Sequence, residues 1–264
     1  MPPDMAHVEV ASGVAKLTLA SGPVNALSHE LLDAIERALD GLEGRDDFSV
    51  LVLASTAKVF SAGGDLQTMA GWMRRADVRD VIGAYATRVQ RIGRRLESLP
   101  QVTIALCERS ALGGGLELAL ACDVRIASAR ASFGLPEVGL GLLPAAGGTQ
   151  RLTRLCGRGA ALRLILGAET IDVSTARELG LVQWVLEPET FANDSARIVA
   201  RFAALPRHAQ QAAKACIALA GDADADAGYR REVQGQASLA ASAATVDLVE
   251  SFLAGARRPA NGKP

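Results

Sequence analysis

The sequence predicts an α/β fold in which short buried strands alternate with helices and an all-helical segment follows. Three observations predict it. Apolar runs of strand length recur up to about residue 187, each followed by a run with helical spacing. A glycine-rich stretch stands between strand and helix twice, at Phe60 to Leu66 and at Leu112 to Glu117. From Pro188 onward the pattern is helical only.

Taken in order, Val8 to Val10 and Val14 to Leu19 alternate around Ser12-Gly13, the pattern of a hairpin. Pro23 to Leu27 leads to Ser28, an N-cap, and Leu31, Leu32, Ile35, Leu39 and Leu42 share one helical face that ends at Gly44. This completes a first β-β-α unit. Ser49 to Ala54 reads as a buried strand, followed by the first glycine turn. Met69 to Met73, with Trp72, reads as core or lid packing, with an acyl-pocket lining as the minority reading. A long amphipathic helix over Val81 to Leu99 stops at Pro100.

Val102 to Cys107 is the next strand and Leu116 to Cys122 the next helix, with Gly113, Gly114 and Gly115 at the turn between them. Asp123 to Ala127 is again a strand. A tight loop through Gly139, Gly141, Pro144, Gly147 and Gly148 precedes a helix from Thr149 to Leu155. Thr175 to Leu181 gives a short helix that turns into a strand over Val182 to Leu186. Helices are predicted for Phe191 to Leu205, Ala209 to Ala220 and Tyr229 to Ala256, with Arg257 to Pro264 frayed. An alanine-rich helical tail of this kind packs on its own core or on a neighbouring subunit.

Composition narrows the partners. At 264 residues and 49% hydrophobic, the chain can build a sizeable core, and a net charge of −1 offers no basic face to nucleic acid or to an anionic membrane. A small-molecule partner is the expectation. The cysteines, Cys107, Cys122, Cys156 and Cys216, lie far apart in apolar runs and read as buried free thiols. His7, His29 and His208 stand alone, so no metal site is expected. The N-terminus has no charged leader with an apolar stretch behind it, and no run approaches a membrane span, which predicts a cytoplasmic protein.

The chemistry converges on the two glycine turns. Glycine lets a backbone N–H approach a ligand closely, and a helix start supplies unpaired N–H groups with partial positive charge. Gly64 and Gly114 are the positions best placed to aim two such groups at one oxygen, an oxyanion hole for the enolate of a thioester. Tight-turn closure alone would explain either glycine pair; their recurrence favours the site. Glu117 lies one turn beyond Gly114, near the same mouth, though a helix-start carboxylate stabilised by the dipole explains it equally well from spacing. Glu137 follows Pro136 in an apolar loop. Two glutamates in partly apolar surroundings can take one proton from water and deliver another to carbon. No nucleophile elbow, phosphate loop, zinc-protease motif or dinucleotide fingerprint occurs.

With these residues in view, the chain from about Val14 to Arg258 resembles the crotonase superfamily, most closely its enoyl-CoA hydratases. The resemblance is carried by Asn25-Ala26-Leu27, Phe60-Ser61-Ala62-Gly63-Gly64-Asp65-Leu66, Ala111 to Ala119, Cys122-Asp123, Phe133 to Glu137, Gly147 to Leu152, and Ala176 with Leu179-Gly180-Leu181-Val182. It implies a spiral of β-β-α units over residues 1–187 and a helical trimerisation region over 188–264. It also implies an acyl-CoA thioester as substrate, no metal or redox cofactor, and a homotrimer or a dimer of trimers. Gly64 and Gly114 match the family's oxyanion donors, and Glu117 and Glu137 its catalytic pair, with Glu117 acting on the water proton and Glu137 protonating the α-carbon. Coenzyme A contacts map onto Val24, Ala26, Ala62, Asp65 and Leu66. An isomerase, needing chiefly Glu137, is the alternative, and a non-catalytic scaffold binding acyl-CoA or RNA a distant third. Three residues depart from the family pattern: Arg109 and Ala145 replace glycines, and Gln67 a lysine. Arginine at a glycine position with positive φ would strain the strand end that leads to Gly114.

Overall fold

Apolar runs of five or six residues build the large sheet, and the shortest segments between them build everything near its C-terminal edge. The computed structural model describes residues 5–220 and 225–256. The frayed end expected for residues 257–264 lies outside them. β1 (Ala6–Ala11) and β2 (Val14–Leu19) form the predicted antiparallel hairpin, turning through Ser12 and Gly13 at φ of 51° and 74°. A two-residue strand, β3 (Ala26–Leu27), precedes α1 (His29–Asp40), where Ser28 Oγ accepts the Leu31 N–H as the predicted cap.

The same sequence of long strand, very short strand and helix then repeats. β4 (Val50–Ser55) leads to β5 (Gly63–Gly64), α2 (Leu66–Trp72) and α3 (Val78–Ser98). β6 (Val102–Cys107) leads to β7 (Ala111–Leu112) and α4 (Gly114–Leu120). β8 (Val124–Ser128) leads to β9 (Ser132–Gly134), a 3-10 turn over Pro136–Leu140, and α5 (Gly148–Ala161). β10 (Thr170–Asp172), α6 (Val173–Glu178), β11 (Trp184–Leu186) and α7 (Phe191–Ala203) follow. The repeat is the expected β-β-α unit, and its second strand is a piece of two or three residues, too short to show alternation in the sequence.

Five strands of five or six residues and the three-residue β11 form one sheet in the order β1-β2-β4-β6-β8-β11, parallel throughout except for the first pair. The short strands form two small sheets, β3-β5 and β10-β9-β7. Continuous hydrophobicity along β4 follows from burial on both faces. Leu51 and Leu53 face the main core with Leu17, Ala105 and Cys107, while Val50, Val52 and Ala54 pack with Ile104 and Ile126 against Phe191 and Val199 of α7.

The backbone divides into two compact units, residues 1–205 and 206–264, so α7 belongs with the strands although it lies beyond the last of them. The second unit holds α8 (Arg207–Ile217), α9 (Ala225–Ala240) and α10 (Ala243–Ala256). The single helix expected over Tyr229 to Ala256 is broken at Ser242, whose Oγ accepts the Thr245 N–H and starts a new helix. His208 Nε2 meets Thr245 Oγ1 at 3.1 Å. All four cysteines are free; Cys107 and Cys122 are buried as expected, whereas Cys156 and Cys216 are only partly so, because they lie on amphipathic helices rather than in the sheet layer. Among the described residues, no helix is long and apolar enough to cross a membrane, and no group of three or more histidine, cysteine or acidic side chains comes together.

Candidate active site

Asn25 holds the first glycine turn in shape. It is fully buried, sits at φ 46°, a conformation asparagine tolerates better than most residues, and its Nδ2 donates to Ser55 Oγ (2.7 Å) and to Phe60 O (2.9 Å). Ser61 Oγ donates to Asn25 O (2.7 Å) and accepts the Gly63 N–H (3.1 Å). The Ala62 N–H bonds to Val24 O (2.9 Å), and β3 pairs with β5 so that Ala26 faces Gly63 and Leu27 faces Gly64.

The second glycine turn runs alongside the first. Phe60 N donates to Ser110 O (2.9 Å), Leu112 N donates to Ser61 O (3.0 Å), and Ser61 bridges to Ala111 in parallel. Side chains at the glycines would prevent this approach. A Cβ on Gly63, whose φ is +89°, would lie 2.7 Å from Gly114 N, and one on Gly115 would lie 2.4 Å from Ser61 O. Gly64 ends β5, and Gly114 opens α4, where the helix leaves its first N–H groups without internal partners. The structure thus brings together the two glycines singled out in the sequence.

α4 begins two residues earlier than expected, which sets Glu117 in its first turn. The side chain is 3% exposed, and its Oε1 accepts two backbone N–H bonds, from Ala146 (2.8 Å) and Gly148 (2.7 Å). Burial pushes its pKa up to about 7; the Glu137 charge adds to the rise, and the two amides and Arg151 oppose it. Glu137 stands in the 3-10 turn after β9, and its Oε1 is 3.0 Å from where a Cβ on Gly113 would lie. Its Oε2 is buried without a hydrogen-bond partner, and burial raises its pKa as well. Both carboxyls therefore lie at the second glycine turn, Glu117 from the helix it opens and Glu137 from the 3-10 turn.

The remaining candidates sit around the first turn. Val24, Ala26 and Ala62 meet through the backbone contacts above, and Leu66 is 52% exposed. Asp65 caps α2, accepting the N–H groups of Gln67 and Thr68 and the Thr68 hydroxyl, so its carboxylate is occupied and held below its usual range. Arg109 is exposed and outside the positive-φ region, as is Ala145, so neither departure strains the backbone. The expected strain at Arg109 is absent because the sharp φ falls on Gly113 instead. Met69 and Trp72 pack against the core, as expected, while Met73 is 46% exposed.

Two residues central to the site carry no signal in the sequence. Tyr85 Oη donates to Leu27 O (2.7 Å), tying α3 to the end of β3, and burial raises its pKa to about 12. Its ring packs in a tilted and edge-on cluster with Trp72 and His29, the Trp72 and Tyr85 centroids 5.4 Å apart. Arg125, 2% exposed, donates to the carbonyls of Leu181 (2.6 Å), Cys122 (2.7 Å) and Ala119 (3.3 Å), closing the C-terminal end of α4. A separate cavity of about 530 Å³ lies between α7 and the outer face of β2, β4 and β6; it contains none of the candidate glycines or glutamates.

The profile of the family described as enoyl-CoA hydratase/isomerase matches residues 9–253. The chain is 43% identical over 165 residues to YngF of Bacillus subtilis, named as an enoyl-CoA hydratase/isomerase; the match spans 62% of each chain, under two thirds of that relative's length. It is 35% identical over 229 residues to the 2,3-dehydroadipyl-CoA hydratase of Escherichia coli, spanning 87% of each. Among solved structures, the enoyl-CoA hydratase of Bacillus anthracis superposes with a TM-score of 0.88 at 31% identity, covering 95% of this chain and 96% of that one.

Proposed function

Because the chain belongs to the enoyl-CoA hydratase/isomerase family and has its crotonase fold, we propose that it hydrates a 2-enoyl-CoA thioester to the 3-hydroxyacyl-CoA. The observation that carries this reading is the pairing of Glu117 and Glu137, both with raised pKa, beside two adjoining glycine turns. The N–H groups of Gly64 and Gly114 hold the thioester oxygen as it gains charge. Glu117, its Oε1 fixed by two amides, takes a proton from the water that adds to the β-carbon. Glu137 gives a proton to the α-carbon. Val24, Ala26, Ala62 and Leu66 receive the coenzyme A portion largely through backbone, and Asp65 shapes that wall by capping α2. These steps call for no cofactor beyond the coenzyme A of the substrate.

Loss of the conjugated thioester absorbance with short and medium 2-enoyl-CoA substrates tests the reading. Glu117→Ala with Glu137→Ala should abolish turnover, and wild-type rates matching that double variant would overturn it. The unpartnered Oε2 of Glu137 favours a second reading, a double-bond isomerase working through one carboxyl. In that case Glu137→Ala abolishes turnover of 3-enoyl-CoA while Glu117→Ala largely spares it; comparable loss in both excludes it. The helical unit assembles copies of the chain into a trimer or a pair of trimers, a reading supported by its exposed Ile217, Tyr229 and Val233.

A further inference from the structure

We propose that Arg151 on α5 is a positioning residue for Glu117, holding the loop of residues 144–148 so that two amide groups converge on one oxygen of that carboxylate. The inference rests on the reading that Glu117 acts on water. Arg151 Nη1 donates to Ala146 O (2.7 Å), the carbonyl of the residue whose N–H holds Glu117. Its Nε and Nη2 make a two-pronged contact with Glu97 of α3, both at 2.8 Å. Gln90, on the same helix, donates from Nε2 to Ala145 O (2.6 Å). The loop thus hangs on two side chains, Arg151 and Gln90, the first fixed by Glu97, and presents its N–H groups to Glu117.

Two glycines border the guanidinium, and one of them, Gly147, also sits at φ +111°, where glycine is favoured in any case. A Cβ on Gly147 would lie 2.2 Å from Arg151 Nη1, and a Cβ on Gly93, inside α3, would lie 2.7 Å from Arg151 Nη2. The guanidinium lies in a slot made by removing side chains from both walls. Glycine inside a helix costs about 1 kcal/mol relative to alanine, and Gly93 leaves the room that the guanidinium fills. Arginine suits the slot because its planar fork can bond a carbonyl and a carboxylate together, which a lysine ammonium cannot reproduce.

The clamp also carries charge. The titratable or charged groups facing Glu117 are Glu137 from the 3-10 turn, Arg151 from α5 and Tyr85 from α3. Arg151 is the cation among them and favours ionised Glu117. Replacing it with a neutral side chain removes both the geometric and the electrostatic support.

The test compares Arg151→Met, Arg151→Lys, Glu97→Gln and Gln90→Met with wild type, using steady-state hydration across pH. Arg151→Met should lower kcat by about 10²-fold with KM within about twofold, and move the acid limb of kcat upward by about one pH unit. Arg151→Lys should restore the limb but only part of kcat. Glu97→Gln and Gln90→Met should lower kcat less and leave the limb near its wild-type position. Folded variants with wild-type kcat and acid limb would overturn the proposal; if Arg151→Met does not fold, an unchanged kcat in both Glu97→Gln and Gln90→Met does the same. Should wild type hydrate no enoyl-CoA, the functional reading fails by itself, and carbon-13 NMR titration of Glu117 decides the positioning role, since an identical Glu117 titration in wild type and Arg151→Met rules it out.

Discussion

Glu117 places the heaviest demand on its surroundings, because a carboxylate 3% exposed must be able to ionise there. With its pKa raised to about 7, the folded protein keeps a proton that the unfolded chain releases near the ordinary carboxylate range. Stability therefore falls as pH rises through that window and is flat above it. Glu117→Gln keeps an Oε1 acceptor for the Ala146 and Gly148 N–H groups and has no charge to bury. The variant should lose less thermal stability than wild type between pH 5 and pH 8, by an amount equivalent to about 1–3 kcal/mol, measured by melting curves at each pH. Its kcat should fall about 10²–10⁴-fold. In wild type, kcat should rise with pH toward about 7, and since Glu137 interacts with Glu117, that midpoint belongs to the pair. Gly63→Ala probes the other half of the site: its Cβ would press on Gly114 N at 2.7 Å, and kcat should drop about 10²–10³-fold while circular dichroism reports a folded chain.

At the level of elements, legibility followed length. β4 and β6 have six residues and a β-branched pattern, and α1 and α3 repeat apolar residues over several turns, so their periods show in the sequence. β3, β5 and β7 have two residues each and were read as turns, although their pairing is what brings Gly64 beside Gly114. The two glycine turns stand out in the sequence because they recur between strand and helix, whereas spacing alone leaves Glu117 and Glu137 open to a helix-start role and only the resemblance singles them out. Arg125 and Tyr85 were not legible, because their partners, Leu181 O and Leu27 O, lie far away in the chain and a backbone carbonyl leaves no trace in composition. Arg125→Met should be among the most destabilising substitutions, leaving several buried carbonyls at the end of α4 unpaired. A loss of about 3–5 kcal/mol corresponds to a melting temperature roughly 10 °C lower by calorimetry, with residual activity in the folded fraction.

For the whole molecule, the backbone divides into residues 1–205 and 206–264, and the proposed catalysis and the proposed association fall in different units. Every candidate site residue lies in the first unit. The second presents Ile217 and Val233, each 72% exposed, and Tyr229, 66% exposed, a density of open apolar surface that favours self-association. Sedimentation velocity should show a trimer or a hexamer for wild type. Val233→Asp with Ile217→Asp should shift it toward monomer, whereas an unchanged profile would assign that surface another role.

The parallel bridge between Ser61 and Ala111 also governs where the chain can change length. One residue added between Ser55 and Gly63, or between Cys107 and Gly114, slides one glycine a whole peptide unit past the other and separates the two donors. The segment joining α2 to α3, residues 73–77, lies outside the paired stretch and carries no such restriction. Insertions placed there leave the paired stretch and its two glycines in register.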